Sequence, residues 1–206
     1  MVKPSLILIG AGGHANSCID VIEQQGHYQI GGLVGLPEQL HSLHLGYTVI
    51  GNDGDLMELA RKYQYALIAI GQIQTADHRI RLYQKIIQLG FKLPTIISPT
   101  AYVSRHAMIG EGTIVMSGAI VNAGAKVGNN CIINSQALVE HDVTINNHCH
   151  NSTGVMLNGG VKIEEGCFIG SGSVIREGLS LGRNCVVGMG LSVRRDLVEN
   201  ARFIGR

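Results

Sequence analysis

The chain has 206 residues, enough for one large or two small domains. Lys and Arg number 16 against 15 Asp and Glu, a net charge of +1 that leaves no basic field for nucleic acid. Its 28 glycines alternate with aliphatic residues instead of forming low-complexity runs, which argues for tight turns and against disorder.

Met1 to Lys3 gives way at once to a short apolar run, Ser5 to Ile9, with no apolar stretch long enough for a signal peptide or a membrane span. A cytoplasmic protein is expected. The run reads as a buried strand and ends in Gly10-Ala11-Gly12-Gly13-His14-Ala15. A helical pattern follows, with Ala15, Cys18, Ile19 and Ile22 on one face and Gly26 after its end. Strand, glycine turn and helix open a βαβ unit whose turn can approach a phosphate or ribose closely.

Gly10, Gly12 and Ala15 fit the dinucleotide pattern G-x-G-x-x-A, which also needs an acidic residue some 20 positions on to hold a ribose hydroxyl. The second strand, Gln29 to Val34, ends in Gly35 and Leu36 with no carboxylate, so NAD binding is not expected. Further along, Tyr47 to Ile50 and Tyr65 to Ile70 read as strands. Asp55 to Tyr63 and Ala76 to Leu89 read as helices, the latter with Ile80, Tyr83, Ile86 and Ile87 apolar. This alternation predicts a small doubly wound, Rossmann-like sheet over residues 1–98, with Gly71 on the same carboxyl edge as the Gly12 turn. The boundary falls near Pro99.

From Val103 to Val193 the chain keeps a period of six. Stepping by six gives aliphatic residues throughout, among them Ile109, Val121, Val139, Leu157, Ile175 and Val187, and only Asn151 breaks the series. Six fits neither a helix nor a two-sided strand, so the repeat is itself the structural unit, and residues 99–206 are predicted to form a parallel β-helix of hexapeptide repeats. Cys131, Cys149, Cys167 and Cys185 recur every eighteen residues, three hexads, as expected if each coil has three faces. Their thiols should stack inside one corner and pack as small hydrophobes. For Asn151 two readings stay open: a buried amide bonding between coils, or support for a neighbouring site.

The IGAGGH turn, a strand ending AIG, the ISPTA entry to the repeats and VEHD within them together resemble the PglD/NeuD-type hexapeptide-repeat sugar acetyltransferases. The resemblance covers nearly the whole chain. It implies a left-handed β-helix and acetyl-CoA as co-substrate, with no metal. The implied reaction is N-acetylation of the 4-amino group of a nucleotide-linked amino-dideoxy sugar carried on UDP, dTDP or GDP, in the building of surface glycans. Two departures stand out. Gly35 and Leu36 occupy the place of the family's aspartates, and the chain lacks the family's G-x-P-A-K-like tail.

Acetyl transfer to an amine needs a base near neutral pH, and histidine is the side chain suited to it. His141 lies two positions past the rung Val139, off the buried corner, flanked by Glu140 and Asp142. By the resemblance His141 matches the catalytic base and Asp142 the acid that raises its basicity. His150 matches the residue at the thioester end of acetyl-CoA, and Gly159, Ser171 and Met189 match positions lining the coenzyme. Gly12, Gly13, His14, Gly71 and Gln72 are the expected sugar-nucleotide contacts, and a backbone N–H or His150 the expected oxyanion donor. A narrow prism has no internal cavity, so the resemblance implies a homotrimer with sites between subunits. Two other classes remain in view: an O-acetyltransferase acting on a sialic acid-like sugar, and a non-catalytic sugar-nucleotide-binding scaffold.

Overall fold

The computed structural model describes residues 3–205. In the N-terminal part, β1 (Ser5–Ile9), β2 (Gln29–Gly35), β4 (Tyr47–Asn52) and β5 (Tyr65–Ile68) are parallel, and the short β3 (Leu43–His44) forms a hairpin with β4. Their order across the sheet is β3-β4-β2-β1-β5. The chain therefore builds outward on one side of β1 and then returns to the other, which puts a topological switch point at the carboxyl end of β1. Two helices, α1 (Gly13–Gln25) and α2 (Leu56–Lys62), connect these strands, and α3 (Asp77–Gln88) follows β5 and leads to the prism. The backbone of Gly10 has φ 128°, and a Cβ there would strike the Ala69 backbone. Only glycine lets the turn after β1 pass so close to the end of β5.

On α3 the buried residues are Arg79, Leu82 and Ile86; of the expected Ile80, Tyr83, Ile86 and Ile87, Ile86 is buried, Tyr83 packs at the edge of the core and Ile87 is 40% exposed. An arginine holds a place in the buried stripe, so apolar periodicity alone misses it.

From Ile96–Ile97 onward, just ahead of Pro99, every strand is two residues long, and each predicted aliphatic rung is the second residue of its strand. Strands eighteen residues apart pair in parallel and build three sheets, here named by position. The first face carries Ile132–Ile133, His150–Asn151 and Phe168–Ile169. The second carries Leu138–Val139 and Met156–Leu157, and the third Lys126–Val127 and Thr144–Ile145. This is the left-handed parallel β-helix expected. Its interior is a column of aliphatics with Cys131, Cys149, Cys167 and Cys185, all free and buried. Each thiol also donates to the carbonyl of a turn one corner on: Cys131 to Asn146 at 3.2 Å, and Cys149, Cys167 and Cys185 to Glu164, Gly182 and Val198 at 3.1 Å. Thr113 does the same in the coil before, to Gly128 at 2.7 Å. The column thus favours a small side chain that can both pack and donate weakly.

The three faces differ outward. The first is covered by the N-terminal domain, where Ile96, Ile114, Met116 and Ile132 share a core with Ala15, Cys18, Ile19 and Ile22 of α1. Outward on the third stand Lys126, Thr144, Lys162 and Ser180. On the second, Tyr102, Ile120, Leu138, Met156 and Val174 form an apolar stripe, with Tyr102 59% and Ile120 and Met156 each 40% exposed.

Candidate active site

His141 stands in the turn between the second and third faces. Asp142 takes the left-handed conformation (φ 59°) that closes this turn, and its Oδ2 lies 3.0 Å from His141 Nδ1. A carboxylate can only accept, so Nδ1 carries the proton and Nε2 is left as the free basic nitrogen. The bond to Asp142 raises the His141 pKa, with further support from the Asp142 and Glu140 charges. Glu140 is itself held, by Asn122 Nδ2 at 3.0 Å and the His141 backbone N–H at 3.2 Å. One coil on, Gly159 leaves the space that the exposed imidazole occupies.

His150 faces outward from the first face but is buried at the junction between the domains. Its Nδ1 donates to the Gln72 carbonyl at 2.7 Å, and Asn134 Nδ2 sits 3.3 Å from Nε2. With its one N–H committed to a carbonyl, the neutral ring presents an acceptor at Nε2. In this form the ring has no unpaired N–H to offer an oxyanion. Burial lowers its pKa to about 4, with the nearby Arg79 adding to the effect. The His14 ring lies 6.4 Å from it, centroid to centroid, and is lowered to about 3, again first by burial. His14 Nε2 is buried without a protein partner.

Ser171 and Met189 lie on the turn between the first and second faces. The Ser171 hydroxyl is 2.8 Å from Ser152, and Met189 is 80% exposed. Within one chain the whole second face separates them from His141 and Gly159.

A cavity of about 460 Å³ opens at the carboxyl ends of β1, β2 and β4, lined by Gly10, Ala11, Gly12, Leu36, Asp53 and His78 among others. The first N–H groups of α1 meet no capping side chain there, and neither Gly12 nor Gly13 has an atom within 4 Å of where a Cβ would stand. Of the expected sugar-nucleotide residues, Gly12 lines this cavity and Gly13 adjoins it. Gly71 is open, while His14 and Gln72 turn to the prism instead. Gln72 is buried, its Nε2 donating to the Gly166 and Cys167 carbonyls at 3.2 Å. In place of the missing carboxylate after β2, Gln39 bridges Leu36 N–H (2.9 Å) and the Ala11 carbonyl (3.0 Å). The carboxylate in the cavity wall comes from Asp53, after β4, a residue that a search of the second strand could not find.

Residues 5–86 match the family model of the PglD N-terminal domain, residues 106–141 that of the bacterial transferase hexapeptide, and residues 160–195 that of the hexapeptide repeat of succinyl-transferase. PerB from Caulobacter crescentus, solved in complex with CoA and GDP-perosamine, is 32% identical with a TM-score of 0.89, over 96% of this chain and 92% of that one. The chain belongs to the PglD-type hexapeptide-repeat acetyltransferases. The acetyltransferase domain of PglB from Neisseria gonorrhoeae, in complex with acetyl coenzyme A, is 31% identical with a TM-score of 0.88, covering 97% of this chain and 95% of that domain. WeeI from Acinetobacter baumannii, at 22% identity and a TM-score of 0.83, shares the fold. No curated protein matches the chain. Among the described residues, no helix is long and apolar enough to cross a membrane.

Proposed function

We propose that this acetyltransferase moves the acetyl group of acetyl-CoA onto the 4-amino group of a nucleotide-linked amino-dideoxy sugar. The observation that carries the reading is the His141–Asp142 pair, with its free Nε2 turned outward over Gly159. The sugar amine attacks the thioester carbonyl while Nε2 takes its proton. The tetrahedral adduct then collapses, the C–S bond breaks, and the leaving thiolate recovers the proton from the imidazolium. Asp142 keeps Nδ1–H in place and stabilises the cation formed on the ring. PerB binds GDP-perosamine and the PglB domain binds acetyl coenzyme A, which supports both substrate classes.

The nucleotide docks in the cavity at the end of β1, its diphosphate against the uncapped N-terminus of α1 and its ribose or base donors toward Asp53. Acetyl-CoA lies along the edge bearing Ser171 and Met189, its thioester end toward His150. One chain cannot close this site, because the apolar second face separates that edge from His141. In a cyclic trimer each interface joins two different patches, so the His141 edge of one chain meets the Ser171 edge of the next across that stripe. The free, buried cysteines fit a reducing cytoplasm.

The test is to mix the protein with acetyl-CoA and a panel of UDP-, dTDP- and GDP-linked 4-amino sugars and follow free thiol. Transfer confined to hydroxyl-bearing sugars, or none at all, overturns the reading. Sedimentation checks the assembly: the wild type should run as a trimer and Met156→Arg, in the middle of the stripe, as a monomer lacking activity. An active monomer would remove the shared site.

A further inference from the structure

Arg79 is 2% exposed and has no carboxylate among its hydrogen-bond partners. Its Nη1 donates to the carbonyls of Ile68, at 3.3 Å, and Ile70. Its Nη2 crosses the domain junction to Asn130, meeting the carbonyl at 3.0 Å and Oδ1 at 2.7 Å. The same Asn130 side chain reaches His148 Nδ1 at 2.9 Å. Two residues beyond Ile70, the Gln72 carbonyl accepts from His150 Nδ1 at 2.7 Å, while the Gln72 amide grips the next coil.

Burying a cation that lacks an ion pair is costly, and an apolar residue of similar volume often stabilises a junction as well or better. Packing alone therefore does not account for Arg79. A planar fork that ties two carbonyls at the end of β5 to one corner of the prism does something a methionine cannot: it fixes where the following residues emerge. We propose that Arg79 is a positioning residue, whose guanidinium locks the end of β5 onto the prism so that the Gln72 carbonyl holds His150 in its Nδ1–H form. This rests on the reading of His150 as the residue facing the acetyl donor.

The charges around the ring agree with it. The ionisable groups facing His150 are His14 from α1 and Arg79 from α3, and the rest of its surroundings, Asn134, Gln72 and Phe168, carry no charge. Arg79 thus both places the acceptor for Nδ1–H and opposes a second proton on the ring, which leaves Nε2 as the accepting nitrogen, met by the Asn134 amide at 3.3 Å.

The experiment uses the full-length protein labelled with ¹⁵N-histidine, with His150 assigned by its loss in His150→Gln. Long-range ¹H–¹⁵N spectra of the wild type should show His150 as the Nδ1–H tautomer. Arg79→Met should shift it toward Nε2–H. Its kcat should fall about 10- to 100-fold, as expected when a reacting group is displaced by an ångström or so, with KM for the sugar nucleotide changed less than about 3-fold. Asn130→Gly removes the Oδ1 anchor while keeping the left-handed turn at φ 52°, which glycine accepts readily, and should move the same signals less. Arg79→Lys keeps the charge without the fork and should also disturb the tautomer. If Arg79→Met does not fold, the last two variants decide the matter: folded proteins with an undisturbed His150 and wild-type kcat overturn the proposal. Failure of the wild type to acetylate any amino-sugar nucleotide would instead remove the proposed function, and the spectra would still decide whether Arg79 sets the His150 tautomer.

Discussion

His141 lies against Gly159 so closely that a Cβ on the glycine would stand 2.6 Å from Nε2, the nitrogen left free by the bond to Asp142. The glycine is needed for its missing side chain and not for its backbone, since its φ lies outside the left-handed range. Gly159→Ala should therefore fold normally, with Tm within a few degrees of wild type. The imidazole would have to swing aside, and kcat should drop on the order of 10- to 100-fold, as for other small displacements of a reacting group. Steady-state kinetics beside a thermal melt separate the two effects. A wild-type kcat would mean that the ring works from another position.

The proposed role of His141 as base is tested by His141→Ala, which should cost about 10²- to 10⁴-fold in kcat with little change in either KM. The Asp142 bond raises the His141 pKa, so the base is free only above that raised value and kcat/KM should climb with pH through it. Asp142→Asn removes the main raising influence, so the acid limb should move to lower pH while the plateau falls. An unmoved limb would assign it to another group.

Asp53 supplies the carboxylate in the wall of the cavity proposed to take the nucleotide. Asp53→Asn should weaken binding of the nucleoside diphosphate by about 10-fold, in line with the loss of a charge-assisted hydrogen bond. Calorimetry with the nucleotide alone measures this without acetyl transfer. Equal affinity in both proteins would place the ribose and base elsewhere.

His14 and His150 are held neutral, with pKa values lowered to about 3 and about 4 from the ordinary 6.5. Below pH 6.5 the unfolded chain binds protons at these rings that the folded chain refuses. Their contribution to stability is thus complete above pH 6.5 and is lost as pH falls toward 4 and then 3, at up to about 1.4 kcal/mol per pH unit for each ring. Chemical denaturation at pH 7, 6 and 5 should show a declining midpoint, and His150→Gln should flatten the decline. A profile unchanged in that variant would show that His150 is not part of the linkage.

The prism was legible in the sequence because its rule is local and repeated: each rung from Val103 to Val193 restates the same six-residue requirement, and even Asn151 keeps the rung position. Asn151 is fully buried with both amide atoms unpaired by protein groups, so its side chain does not make the bond between coils that was one of its two readings. The His141 turn could be read for the same reason. What stayed hidden lies at the domain junction. Arg79 and Asn130 are 51 positions apart and Gln72 and His150 are 78 apart, and no period connects them. Arg79 also sits in the buried stripe of a helix, where a charged residue reads as surface. Asp53 escaped notice because the familiar carboxylate position follows β2, and here Gln39 and Gly35 fill that corner instead.

The coil of eighteen residues turns sequence distance into a pair of coordinates. Steps of six choose which way a side chain faces, and steps of eighteen choose its height along the axis. Excising one hexad between His141 and Ser171 would keep aliphatic rungs along the chain, yet would carry Ser171 and Met189 round to a different edge and split the column of thiols between two corners. Excising a full coil would keep every bearing and lower the downstream groups by about 4.8 Å, one strand spacing. The first protein should fold with the candidate groups dispersed over different edges. The second should keep its bearings along an edge one coil shorter, so the spacing of groups along an edge is adjustable in units of a single coil.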